Sequence, residues 1–165
     1  MQIKSYKTSM INTGDKVPTN IKIKDINDSE VTLSKYLGKY LVLYFYPKDE
    51  TPGCTKEACS FRDVNEDIKA LGASIIGISK DNAKSHNKFT KKHELNFDLL
   101  SDENHELQDV FGVWGEKTLW GRKYMGTLRT TFLINQDGEV IYKWEKVNPL
   151  NHSAEVLEKL REFIN

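Results

Sequence analysis

The chain is poor in cysteine, in arginine and in long apolar runs, and each shortage excludes something. Cys54 and Cys59 are the only cysteines in 165 residues, too few for a disulfide framework. The four histidines, His86, His93, His105 and His152, are scattered and have no CxxC partner. They are therefore expected on the surface, and no metal site is expected. A CxxC redox pair is itself missing, because four residues separate the cysteines, which argues against a simple disulfide exchanger.

No apolar run approaches the ~20 residues of a membrane helix. The opening MQIKSYKTSMINTGDK lacks the apolar stretch of a secretory signal. The expected location is the cytoplasm, where thiols stay reduced, and the sequons at Asn27 and Asn151 are read as accidental. A charge of one sign is lacking too. Lys+Arg and Asp+Glu number 24 each, so there is no overall basic field for nucleic acid or membrane, and neither partner is expected. Only Arg62, Arg122, Arg129 and Arg161 break the dominance of lysine, which draws attention to their planar forks.

What is present suits a globular chain: 38% hydrophobic and 29% charged residues, read as one domain over 1–165. Short strands are expected at 20–26 and 30–33 around the turn Asn27-Asp28-Ser29. The continuously apolar run 40–46 reads as a strand covered on both faces and ended by Pro47. Thr51 as N-cap and Pro52 at the first helical position start a helix. Ala58, Phe61, Val64, Ile68 and Leu71 carry its apolar face up to Gly72. A buried strand at 73–79 follows, then a helix over 82–92 capped by Asp81 or Asn82. Next come a short strand at 97–100, a short helix at 104–111 and a long loop at 112–126 holding Trp114 and Trp120. Segments 130–134 and 140–144 flank an Asp137-Gly138 turn as a hairpin, and an amphipathic helix covers 153–164. This order implies an α/β thioredoxin-like fold: a central mixed β-sheet flanked by helices, with an extra N-terminal β-hairpin.

The segment Pro47-Lys-Asp-Glu-Thr51-Pro-Gly-Cys54-Thr-Lys-Glu57-Ala-Cys59 concentrates the chemistry. With Thr51 as N-cap, Cys54 falls among first-turn amides that have no intrahelical partner. Those amides and the helix dipole favour thiolate over thiol, and the thiolate is the nucleophile. Cys59 would lie about 140° further around the helix, its α-carbon ~8–9 Å from that of Cys54. A disulfide tolerates about 7 Å, so any Cys54–Cys59 bond demands local unwinding, which Gly53 would ease. The competing reading is two small core residues with inert thiols.

The stretch PKDETPGCTKEACSFRD resembles the active-site signature of peroxiredoxins, in particular the bacterioferritin comigratory protein/peroxiredoxin Q subfamily. The resemblance extends to GDKVP at 14–18, TLSKYLGKYLVLYFYP at 32–47, FDLLSDENHELQDVFGVWGEK at 97–117 and YMGTLRTTFLINQDG at 124–138. Thr19 and Asn20 depart from the Asp-Phe usual after the Val-Pro pair, a matter of packing.

The resemblance implies a thiol peroxidase acting on hydrogen peroxide and organic hydroperoxides. Cys54 takes the place of the peroxidatic cysteine and Cys59 that of the resolving cysteine, closing an intramolecular disulfide that thioredoxin or a similar dithiol reduces. Thr51 resembles the hydroxyl that contacts thiolate and peroxide, Pro47 the shielding proline, and Arg129 the arginine that stabilises the thiolate. Glu57 is read either as orienting Arg129 or as an ordinary helix acid. No cofactor is implied, and an intramolecular resolver leaves a monomer sufficient. The rival reading is a non-enzymatic redox sensor built on the same switch.

Overall fold

The computed structural model describes residues 9–164, so the first half of the segment read above for a leader lies outside it. In chain order the elements are β1 (Ile23–Lys24), β2 (Glu30–Val31), a 3-10 turn (Leu33–Tyr36), β3 (Tyr40–Phe45), α1 (Pro52–Ala70), β4 (Ala73–Ser79) and α2 (Ala83–His93). They continue as β5 (Asp98–Ser101), α3 (Glu106–Phe111), β6 (Trp114–Leu119), β7 (Arg122–Thr127), β8 (Thr130–Ile134), β9 (Val140–Glu145) and α4 (His152–Ile164).

Strand β3 explains the layering. It lies between β4, parallel, and β8, antiparallel, in a seven-stranded sheet of order β2-β1-β5-β4-β3-β8-β9. Its side chains alternate between two cores, as a pleated strand requires. Leu41, Leu43 and Phe45 pack with Leu107, Phe111 and Phe132 on the α3 face. Val42, Tyr44 and Tyr46 pack with Phe61, Phe89 and Val156 on the face of α1, α2 and α4. Both faces are covered, so the strand is apolar throughout. Gly77 of β4 belongs to this packing, since a Cβ there would stand 2.9 Å from the Tyr44 ring and 2.8 Å from Leu99.

The N-terminal hairpin exists and joins the sheet edge through Lys24 opposite Ser101. Its strands are shorter than expected, because the Asp25 carboxylate takes the amides of Asn27 and Ser29 and tightens the turn. Asn82, not Asp81, caps α2, accepting from the Ser85 amide at 2.9 Å. Asp81 instead accepts from the Asp49 amide.

The expected loop at 112–126 is an antiparallel hairpin, β6–β7, with Trp114 opposite Thr127 and Leu119 opposite Arg122. Trp120 and Gly121 both have positive φ, 51° and 79°, the backbone of a two-residue hairpin turn. The sequence pattern concealed it because most of its residues are exposed on both faces, which removes the apolar alternation that marks a half-buried strand. No described helix is long and apolar enough to cross a membrane.

Candidate active site

Helix α1 starts where the sequence places it, and its first turn carries Cys54. Thr51 occupies the N-cap position with extended backbone, and its carbonyl accepts the first helical bond from the Thr55 amide at 2.8 Å. Its side chain does not cap. The hydroxyl donates to the Lys48 carbonyl at 3.0 Å, so no side chain occupies the free first-turn amides. Cys54 itself is 1% exposed and packs in the core cluster with Tyr44, Tyr46, Ala58 and Phe61.

Arg129 reaches this helix end from the two-residue link between β7 and β8. Because β8 pairs with β3, and α1 follows β3 in the chain, the link and the helix N-terminus meet at one end of the sheet. The Arg129 Nη2 donates to Cys54 Sγ at 2.8 Å, and Nη1 donates to Glu57 Oε1 at 3.0 Å. A guanidinium hydrogen bond to sulfur stabilises the anionic form. Gly53 makes room for it, since a Cβ there would lie 3.1 Å from Arg129 Nη2.

Glu57 sits one helical turn beyond Cys54, with its side chain 2% exposed. Burial raises its pKa from the ordinary 4.5 to about 7, outweighing the opposing attraction of Arg129. Tyr44 adds a buried hydroxyl without a hydrogen-bond partner among the described residues. Its pKa is pushed well above the ordinary value by burial, then by Glu57 and Cys54, so it is a neutral phenol.

Two cavities flank this constellation. One of about 380 Å³ is lined by Met10, Leu128, Arg129 and Val147. The other, about 370 Å³, is lined by Pro47, Trp114, Tyr124 and Met125. Lys117 contributes to both walls. Its ammonium donates to the Thr127 carbonyl at 2.8 Å, and its pKa is lowered by burial and then by Arg129.

The loop before α1 is held by a buried polar network. Asp49 accepts from the Tyr46 hydroxyl at 2.6 Å and from Ser85 at 2.8 Å, and lies 2.7 Å from His86 Nδ1. The other His86 nitrogen faces the Leu100 carbonyl at 3.2 Å. A carbonyl only accepts, so Nε2 is the donor there, and Nδ1 faces the Asp49 carboxylate. Asp49, Asp81 and His86 are close enough to hold a metal ion, and within the protein they bond to one another and to Tyr46, Ser79, Ser85 and the Leu100 carbonyl. His86 and His152 are buried, contrary to the expectation of surface histidines. His152 is fixed by a 2.7 Å contact to Thr131.

The structure thus brings Cys54, Glu57 and Arg129 into contact, sets Thr51 at the helix start, and leaves Pro47 half-buried on a cavity wall. Cys59 stands apart on the same continuous helix, half-buried, and both cysteines are free thiols. Helical geometry separates their α-carbons by ~8–9 Å. Trp114 stacks on His105 at 4.1 Å and borders a cavity, whereas Trp120 is 93% exposed. Tyr44, Lys117 and the Asp49–His86 pair were not singled out from the sequence. The polar residue types within the apolar run 40–46 were the available signal for Tyr44 and Tyr46; Lys117 and His86 carried none.

A thioredoxin-like sheet presenting a buried cysteine to a guanidinium at a helix N-terminus defines a thiol-based redox protein. Comparison with known proteins agrees. The AhpC/TSA family pattern matches residues 13–143. Peroxiredoxin Bcp of Bacillus subtilis is 49% identical over 153 residues, 93% of this chain and 97% of that protein. Among solved structures, Xylella fastidiosa PrxQ superposes with a TM-score of 0.89 at 35% identity, covering 95% of this chain and 99% of the other. The Bacterioferritin Comigratory Protein of Xanthomonas campestris, studied for alkyl peroxide reduction, gives 0.86 at 34% identity, over 93% and 100%. The chain belongs to the AhpC/TSA family. Within it, the chain is a peroxiredoxin of the Bcp/peroxiredoxin Q group and hence a thiol peroxidase.

Proposed function

We propose that this peroxiredoxin reduces hydrogen peroxide and organic hydroperoxides through Cys54, resolves the product with Cys59, and is recycled by thioredoxin or a similar dithiol. The observation that carries the assignment is the Arg129 guanidinium, shared between Cys54 Sγ at 2.8 Å and Glu57 Oε1 at 3.0 Å.

The Cys54 thiolate attacks one peroxide oxygen. An S–O bond forms as the O–O bond breaks, and negative charge develops on the departing oxygen, which leaves as water or alcohol after taking a proton. Arg129 and the free first-turn amides supply donors already in place for that charge, and the Thr51 hydroxyl can join them by turning from the Lys48 carbonyl. Pro47 and the apolar surroundings of Cys54 keep bulk water away. Cys54 is left as a sulfenic acid. The Cys59 thiolate then attacks the Cys54 sulfur, closing the disulfide as the S–O bond breaks and hydroxide leaves, becoming water on taking a proton, before further oxidation. No step calls on a metal, haem or flavin. Because the resolver lies in the same helix, the cycle requires one domain and one copy of the chain, working as a monomer in the cytoplasm.

The experiment is stopped-flow Trp fluorescence of reduced protein mixed with one equivalent of hydrogen peroxide, followed by mass analysis. Rapid consumption giving a Cys54–Cys59 disulfide supports the assignment. Reaction at the pace of an ordinary free thiol, or retained turnover in Cys54→Ser, would reject it.

A further inference from the structure

Helix α2 carries Lys84, Lys88, Lys91 and Lys92 and no acidic residue, in a chain whose formal charges cancel. All four lysines are exposed. The arrangement serves the helix only at its end, where Lys91 and Lys92 lie in the last turn and the dipole favours cations. Lys84 lies in the first turn, beside the positive end of the dipole, and Lys84, Lys88 and Lys92 repeat every four residues as like-charge neighbours. Among the described residues only Lys92 of these has a carboxylate partner, Glu50 at 3.6 Å. Exposed like charges at four-residue spacing, with no carboxylate on their own helix, point to a partner outside the chain.

Its position says which partner. Lys84, Lys88 and Lys92, with Lys48 from the loop before α1, line a groove of about 580 Å³, whose carboxylates are the buried Asp49, Asp81 held by the Asp49 amide and Ser79, and Glu50. The stripe ends at His93, whose carbonyl accepts from Arg62 Nη1 at 2.6 Å. Arg62 stands one turn beyond the half-buried Cys59 on α1. On the other side, Glu50 joins Lys92 and His93 to the loop that leads to Cys54. The basic stripe therefore borders the segment that must unwind to form and present the disulfide.

We propose that the face built by α2 and Lys48 docks the protein dithiol that regenerates this enzyme, through an acidic surface surrounding the partner's reactive cysteines. The proposal rests on the recycling step given above. With the partner docked, its thiolate attacks Cys59 Sγ, the more accessible sulfur. The Cys54–Cys59 bond breaks, and Cys54 departs as thiolate, leaving a mixed disulfide. The partner's second thiol, after losing its proton, attacks the partner's own sulfur and releases Cys59 as thiolate. Two electrons pass to the peroxidase, and the partner leaves as its disulfide.

The test uses the full chain, oxidised with one equivalent of peroxide and reduced by three probes in stopped flow. These are an acidic thioredoxin, the same thioredoxin with the carboxylates around its cysteines changed to amides, and dithiothreitol. The triple variant Lys84→Glu/Lys88→Glu/Lys91→Glu should be reduced by the acidic thioredoxin about tenfold or more slowly than wild type, with the fall in rate on adding salt abolished. Its reduction by dithiothreitol and its reaction with peroxide should be unchanged, which also reports an intact fold. The amide thioredoxin should not distinguish the two proteins. The corresponding Lys→Gln variant should fall between them.

Equal rates for wild type and the triple variant with acidic thioredoxin would overturn the docking face while leaving thioredoxin recycling standing. Reduction of oxidised wild type by dithiothreitol but by neither thioredoxin would reject the recycling reading itself, and the docking face with it. Inhibition of thioredoxin reduction by anionic vesicles or duplex DNA bound to α2, with no charge effect once they are removed, would assign the stripe to a polyanion and overturn the proposal.

Discussion

Arg129 and Cys54 are 75 residues apart in the chain and 2.8 Å apart between Nη2 and Sγ. The contact exists because β8 pairs with β3, so the residue just before β8 meets the helix that begins just after β3. Removing a donor aimed at developing charge costs about 10²–10³ in rate. Arg129→Ala should therefore slow the reaction of Cys54 with hydrogen peroxide by about that factor, measured under single-turnover conditions. Arg129→Lys should recover little of it, because an ammonium cannot serve sulfur and Glu57 with a planar fork. A variant within about threefold of wild type would remove Arg129 from the site.

Glu57 should impose a pH dependence centred near neutrality. Its pKa rises from 4.5 in the open chain to about 7 in the fold because of burial. A raised folded pKa means that the fold favours the protonated acid. The resulting stabilisation is complete below about 4.5 and is lost as pH rises through about 7. Over the same interval Arg129 gains an anionic partner that holds its fork on Cys54, so the peroxide rate should rise with pH. Glu57→Gln should flatten both profiles near pH 7, seen in urea unfolding across pH and in single-turnover rates. Unaltered profiles would show that Glu57 does not titrate there.

Oxidation should open the first turns of α1. Continuous helix from Pro52 to Ala70 keeps the cysteine α-carbons ~8–9 Å apart, beyond the reach of a disulfide. Amide hydrogen exchange across residues 52–62 should accelerate on oxidation and recover on reduction. Cys59→Ser should still consume one equivalent of peroxide but retain α1 protection and stop at the sulfenic acid. Equal protection of the oxidised and reduced proteins would exclude the unwinding.

Gly77→Ala tests the packing behind the site. The added Cβ would meet Leu99 at 2.8 Å and the Tyr44 ring at 2.9 Å. Tyr44 stacks on Phe61 with ring centroids 4.8 Å apart, so the ring has little room to move. Overpacking of this kind costs about 1–3 kcal/mol, to be read from denaturant midpoints. Because Tyr44 adjoins Cys54 in the core, the peroxide rate should fall as well. Unchanged stability would mean that the β4–β5 packing relaxes freely.

The sequence by itself determined whatever depends on neighbours along the chain. The apolar run of β3, the Thr51-Pro52 start of α1, a cap for α2 at Asp81 or Asn82, the Asp137-Gly138 turn and the placing of Cys54 in a first helical turn all follow from local propensity and periodicity. The separation of Cys54 from Cys59 is equally local, since both ride one helix. The family resemblance, at 47–63 for Thr51 and at 124–138 for Arg129, named both as candidates, but no spacing rule in the chain brings Arg129 to sulfur.

Only the tertiary structure decided the rest. Burial, not residue type, raises Glu57 to about 7 and encloses His86 and His152, which sequence reasoning placed on the surface. The β6–β7 hairpin was invisible because its faces are mostly exposed and its turn rests on positive φ at Trp120 and Gly121. Thr51 was legible as a cap position, yet its hydroxyl turned to the Lys48 carbonyl. In each case the deciding interaction joins groups far apart in sequence or depends on exclusion of water. Local pattern carries neither, because desolvation and long-range pairing exist only once the sheet has assembled.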